Sequence, residues 1–310
     1  MPSDRPVPAT SVPDLLHRLE EGVRSVQSSE DWRRLLMAQA NFHDYSLGNV
    51  LLILAQRPDA TRVAGFHTWL ALDRHVRRGE HGIAILAPVH PRLTDEDRAE
   101  RRRARHDIGV GGVDRQPTGF RVTHVFDVSQ TEGQPLPDVR TLVPEMAGSS
   151  AAAEALLPRL QVLARDEGLA LERVDRLPDG ARGCYQPTRA RILLAEGMAP
   201  DQEAKTLAHE LAHHLLGHTS VGTRDHEAEE AAAEGVAFVV CARFGLDTSE
   251  YSFGYVASWS GRDDGAAVIR QVGSAIQRTA HGMIDRIDPP EREIEREEAR
   301  EPVQARGRSR

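Results

Sequence analysis

The stretch Thr206-Leu-Ala-His-Glu-Leu-Ala-His-His-Leu-Leu-Gly217 decides how this chain is read. Leu207, Ala208, Leu211, Ala212, Leu215 and Leu216 recur at helical spacing, which predicts a helix buried on several sides. His209 and His213 stand four residues apart, so both imidazoles fall on one face and reach the same metal ion. Glu210 follows the first histidine and sets a carboxylate beside a metal-bound water. That is the arrangement of a zinc-dependent peptidase, with Glu210 as its base. Two buried imidazoles with no partner would be costly, which weighs against a pair of idle core histidines.

A catalytic zinc takes three protein ligands and keeps one position open for water. The third ligand is expected on the next predicted helix, 225–244, which carries Glu227, Glu229, Glu230 and Glu234. Glu230 and Glu234 share a face. We assign Glu230 as the ligand and Glu234 as the outer carboxylate that hydrogen-bonds a ligand imidazole. Glu234 or Glu227 as the ligand are the alternatives. His214 and His218 are also four apart, but they point about 140° away from the first pair and no glutamate follows His214. They read as structural or surface residues. Tyr185, Tyr251 and Tyr255 are candidate donors to an oxyanion, and none is assigned that role. The expected cofactor is Zn2+, although His and carboxylate ligands also accept manganese or iron.

The chain has 310 residues, enough for two domains. Its net charge of -8 excludes a wholly basic nucleic-acid binder, but the charge is uneven. Residues 1–130 hold 18 arginines against 17 acids, whereas residues 131–310 hold 21 basic and 30 acidic residues. Lys205 is the sole lysine, a bias expected of a GC-rich bacterial genome. Two cysteines, Cys184 and Cys241, build neither a disulfide framework nor a thiolate zinc site. The polar, Pro-rich start has no leader-like run, and no apolar stretch is long enough to span a bilayer, so no membrane partner and a cytoplasmic location are expected.

The pattern along the chain predicts an α+β protein. Residues 1–12 read as a disordered tail and 13–135 as a domain of helices and a small sheet, with a charged loop insertion at 91–118. Residues 136–148 read as a Pro-containing linker, 149–287 as a second domain, and 288–310 as a charged disordered tail. Helices are expected at 12–26, from 31 and after 46, then at 151–164, from near 200 through the His209–His213 run, at 225–244 and at 266–284. Strands are expected at 83–87, 120–126 and 169–174, with a hairpin over 181–195.

Two sets of residues carry a resemblance. The run Tyr45-Ser-Leu-Gly-Asn-Val-Leu-Leu-Ile-Leu-Ala-Gln-Arg-Pro-Asp-Ala-Thr-Arg-Val-Ala-Gly-Phe-His-Thr-Trp69, then Arg77-Arg-Gly-Glu-His-Gly-Ile-Ala-Ile-Leu-Ala-Pro88 and Val125-Phe-Asp-Val-Ser-Gln-Thr-Glu-Gly133, resembles the N-terminal single-stranded-DNA-binding domain of ArdC-like antirestriction proteins. The C-terminal part resembles the zincin-like metallopeptidase domain that accompanies it, related to the ImmA/IrrE group. There the resemblance implies a Glu-x-x-x-acid pattern, which Glu230-Ala-Ala-Ala-Glu234 fits. The stretch Gly245-Leu-Asp-Thr-Ser-Glu-Tyr-Ser-Phe-Gly-Tyr255 is similar to relatives from mobile genetic elements. The resemblance implies single-stranded DNA as a partner and a hydrolase acting on an unknown protein or peptide. Tyr45, Arg62, Phe66, Trp69, Arg74, Arg77 and Arg78 are the candidate DNA contacts, because single strands are held by basic grooves with aromatic platforms. Two other functions fit the same residues: a DNA-binding antirestriction module with a structural metal, and an ImmA-like peptidase that cleaves a repressor.

Overall fold

The computed structural model describes residues 11–89, 117–135, 150–218, 226–246, 253, 259 and 263–289. Most of the 91–118 insertion, the 136–148 linker and both expected tails, with Tyr251 and Tyr255, lie outside the described residues. The fold is α+β. The chain divides into two compact units, one of Met1–Gly22 with Leu51–Gln134 and one of Val23–Val50 with Pro135–Arg310.

In the first unit, helix α1 (Val12–Arg24) and the later part of α3 (Leu47–Gln56) pack on a three-stranded antiparallel sheet. Its strands are β1 (Val63–Gly65), β3 (Ile83–Val89) and β4 (Gly119–Asp127), in the order β1-β4-β3. Leu15, Leu52, Ala84 and Leu86 form a core that Val12, Leu19 and Val122 flank. A short helix, α4 (Phe66–Ala71), follows β1, and β2 (Arg74–Val76) pairs antiparallel with β5 (Thr131–Gly133). The Gln56 side chain anchors α3 to the sheet: its amide donates to the Ala84 carbonyl at 2.8 Å and accepts from the Ala84 N–H at 3.0 Å.

Asp127 is the polar centre of this unit and is 1% exposed. One carboxylate oxygen accepts from the Thr61 and Arg62 N–H groups at 2.8 and 3.1 Å. The other accepts from the Ser129 N–H at 2.9 Å and the Ser129 hydroxyl at 2.5 Å. Burial pushes the Asp127 pKa up, but these donors outweigh it and hold the carboxylate below its ordinary value.

In the second unit, α2 (Ser29–Asn41) starts at a capping box in which Ser28 and Asp31 satisfy one another's backbone N–H groups. It buries Trp32, Leu35, Leu36 and Ala40 and packs on α7 (His226–Arg243). Helix α5 (Ser150–Asp166) precedes a mixed sheet of order β6-β8-β7, from β6 (Ala170–Val174), β7 (Gly183–Gln186) and β8 (Arg191–Ala195). Strands β6 and β8 are parallel, and β7 is antiparallel to β8 at the sheet edge. Helix α6 (Pro200–Leu215) lies against β7 and β8, α7 against α6, and α8 (Gly265–Ile287) against α7. Among the described residues, no helix is long and apolar enough to cross a membrane.

Replacing Asp127 by Ala leaves several backbone donors unpaired and is expected to cost about 2–3 kcal/mol, measured by denaturant unfolding. Because the folded pKa is depressed, the carboxylate's contribution is whole above its ordinary value of 3.8. It disappears as pH falls through the lower folded value. The difference in stability between wild type and variant should therefore shrink below that pH.

Candidate metal centre

Helix α6 presents His209 and His213 one turn apart, on the side that faces the first turns of α7. The two Nε2 atoms lie 3.0 Å apart and the rings stand nearly perpendicular, at 77°. From α7, the Glu230 oxygens reach His209 Nε2 at 3.5 Å and His213 Nε2 at 3.4 Å. His209, His213 and Glu230 thus bring one nitrogen or oxygen each within 4.8 Å of one another. Glu227 is exposed and outside this group.

The electrostatics follow from the crowding. The hydrogen bonds with His209 and His213 hold the Glu230 carboxyl far below its usual range. Burial works to lower the His209 pKa, but Glu230 and the nearby Glu210 and Glu234 outweigh it and raise it. Glu234, one turn beyond Glu230, is pushed up to about 7, chiefly by burial. Among the described residues no hydrogen bond joins it to either imidazole, which is the contact expected of it.

That place is filled by His218. Its Nδ1 lies 2.8 Å from Nδ1 of His213. Helical spacing put His218 on the far side, but the helix ends before it. Gly217 adopts a left-handed φ of 74°, its N–H donates to the His214 carbonyl, and the His218 N–H donates to the His213 carbonyl. This is a Schellman turn, and it folds the chain back over the last helical turn. The sequence signal was the glycine. With the His213 Nε2 facing the metal position, its Nδ1–H donates to His218, whose own charge is suppressed by burial and by His213.

Glu210 is buried, and burial raises its pKa. It is held by strand β7: the Tyr185 N–H donates to Glu210 Oε2 at 2.7 Å. The approach requires Gly183. A Cβ there would lie 2.6 Å from both Glu210 Oε1 and Thr206 Cγ2. The Tyr185 hydroxyl is committed elsewhere, at 2.9 Å from His214 Nδ1. His214 Nε2 contacts Glu167 at 3.0 Å, and Glu167 pairs with Arg286 at 2.5 Å. His214 is structural, as expected, though it lies inside a relay and not on the surface.

The candidate DNA contacts are divided between the two units. Tyr45 is half-buried in the second unit, edge-on to Phe42, while the other six lie in the first. Trp69 is 2% exposed and its indole N–H donates to the Phe126 carbonyl, so it is a core residue and no stacking platform. Arg74 is tied to Thr131 and to the Gln134 carbonyl, and Arg77 to Glu80 and the Ser129 carbonyl. Arg62 is half-buried, whereas Phe66 and Arg78 are exposed.

Two glycine substitutions should separate steric need from local preference. Gly183→Ala must displace the Glu210 carboxylate or Thr206 and is expected to lower stability by about 1–3 kcal/mol. Gly282→Ala, on α8 with nothing within 4 Å of the added carbon, should be neutral or stabilising by roughly 0.5–1 kcal/mol. Thermal melts of both variants beside wild type check this.

Comparison with known proteins finds relatives for two stretches of the chain. Residues 10–122 match the N-terminal domain of the anti-restriction factor ArdC, and residues 152–242 match the IrrE N-terminal-like domain of the M78 peptidase type. An uncharacterized Bacillus anthracis protein is 27% identical over 302 residues, covering 87% of this chain and 50% of the relative. The chain therefore spans about half the length of that curated relative. Two crystal structures of the antirestriction protein ArdC from plasmid R388 are similar at 20% identity and a TM-score of 0.46. The metal-free one matches over 78% of this chain and 84% of its own, the Mn(II)-bound one over 79% and 85%. The chain thus resembles ArdC-like antirestriction proteins, with a stretch similar to the ArdC N-terminal domain followed by one similar to the IrrE N-terminal-like domain, and the second contains the His209, Glu210 and His213 helix.

Proposed function

We propose that this chain is a zinc-dependent metalloendopeptidase joined to a single-stranded-DNA-binding domain, and that it protects incoming mobile-element DNA from restriction in the bacterial cytoplasm. The peptidase reading rests on the convergence of His209, His213 and Glu230 beside the buried Glu210. The donor set fits a divalent ion. Separations of 3.0, 3.4 and 3.5 Å lie near the edge of a coordination tetrahedron, about 3.4 Å for bonds of about 2.1 Å. These three residues would hold the ion. Once bound, it supplies a Lewis acid that polarises a carbonyl and acidifies a water.

The chain's own groups supply the remainder. Glu210 takes a proton from the attacking water and passes it to the leaving amine. The Tyr185 N–H occupies Oε2, which leaves Oε1 for that transfer. A buried carboxyl with a raised pKa is a stronger base than an exposed one. His218 orients the His213 ring, and Glu230 with Glu210 supplies most of the negative charge that raises the His209 pKa. For the DNA partner, the exposed Phe66 ring is a stacking platform and Arg62 and Arg78 are phosphate contacts.

Glu210→Gln is expected to lower hydrolysis of casein, as an unstructured probe substrate, by roughly 100-fold or more at unchanged zinc content. Casein cleavage that survives the substitution would overturn the peptidase reading. Binding to an oligothymidine should weaken with salt, and Arg78→Ala should reduce the slope of the log–log plot by about 0.7. Fluorescence anisotropy measures it, and absence of binding at low salt would remove the DNA-binding part.

A further inference from the structure

A second group of metal-ligating side chains lies apart from the His209 centre, and all its members belong to the second unit. His43 and Asp44 sit in the turn that follows α2, and His281 and Asp285 share one face of α8. One donor atom from each lies within 4.8 Å of the other three. His43 Nε2 is 3.5 Å from Asp44, and His281 is 3.8 Å from Asp44 and 3.4 Å from Asp285. The two His281 distances run from different ring nitrogens, Nδ1 to Asp44 and Nε2 to Asp285, so it is the mutual approach of one donor from each residue within 4.8 Å that suits a single ion.

The turn is not placed by chance. Gln277, one turn before His281, donates its amide to the His43 carbonyl at 2.8 Å and to the Phe42 carbonyl at 3.4 Å. It docks the end of α2 on α8 and brings two donors from each side together. The Nδ1 atoms of His43 and His281 are buried and make no hydrogen bond among the described residues. The ion pair of His43 with Asp44 runs through Nε2 and leaves its Nδ1 unused, whereas His281 Nδ1 faces Asp44 at 3.8 Å, too long for a hydrogen bond. Burial, followed by Arg243 and His281, favours the neutral His43 ring against Asp44 and Asp285, which oppose it. A neutral imidazole is the form that binds metal.

We propose that His43, Asp44, His281 and Asp285 form a second divalent-metal site, a clamp that fixes the turn after α2 to α8. Two imidazoles and two carboxylates suit zinc, cobalt or nickel over calcium and magnesium, which want oxygen alone. Asp44 is mostly exposed, at 70%, and leaves the ion a path from solvent. Two of the four ligands, His281 and Asp285, stand beyond residue 242, where the IrrE-like match ends. The site is independent of whether the His209 centre hydrolyses peptides.

The test loads the full chain with Zn2+, removes free metal by gel filtration and counts ions by mass spectrometry. Wild type is expected to carry about two, and either His209→Ala/His213→Ala or Asp44→Asn/Asp285→Asn about one. All four changes together should leave none. The asparagines replace partly exposed carboxylates by isosteres, so circular dichroism should be unchanged. If the His209→Ala/His213→Ala chain fails to fold, wild type against Asp44→Asn/Asp285→Asn decides alone. A wild type holding one ion that the asparagines leave in place would overturn the proposal, as would an ion in the His209→Ala/His213→Ala chain that ignores them.

Discussion

Glu230 reaches His209 and His213 because α7 lies close against α6, and that closeness depends on small side chains. Ala231, Ala232, Ala233 and Ala237 are buried, and α6, α2 and α8 all pack on the same helix. Gly235 is the tightest point. A Cβ there would fall 2.3 Å from the end of Ile276 on α8. A helix enclosed on several sides has no freedom to roll, so the acids on its first turns keep a fixed bearing on α6. The metal centre therefore inherits its geometry from packing several residues further along.

The position of the base has a different origin. Glu210 is located by strand β7, and β7 is located partly through the Tyr185 hydroxyl. From there, His214, Glu167 and Arg286 tie the strand to α6, to the end of α5 and to α8. Burial opposes ionisation of Glu167, but Arg286 and His214 keep it charged. A charged relay of this kind is directional, and breaking one link leaves partly buried groups unpaired. Ligands and base thus hang on separate supports, one apolar and one polar.

Local periodicity made part of this readable. Four-residue spacing put His209 and His213 together, and the helical run over 226–243 put Glu230 and Glu234 on one face. What escaped was set by turns and tertiary contacts. His218 changed sides because a glycine ended the helix one residue earlier. Strands β2 and β5 have three residues each and carry Arg74, His75 and Glu132, so they lack the alternation that marks a strand. The aromatic residue Trp69 looked available for DNA, and only the fold revealed that β4 supplies its partner. Helix α2 lies inside the stretch expected as the first domain, and its buried face packs on α7 in the second unit.

The Gln56 amide has a further consequence. Strand β3 is at the edge of its sheet, with β4 on one side. At Ala84 the outward N–H and C=O are both taken by Gln56, which imitates the backbone of a missing neighbour. An open edge is a template for another chain, and a helix-borne amide laid across it removes the middle of that template. The side chain that anchors α3 therefore also guards the protein against pairing with itself.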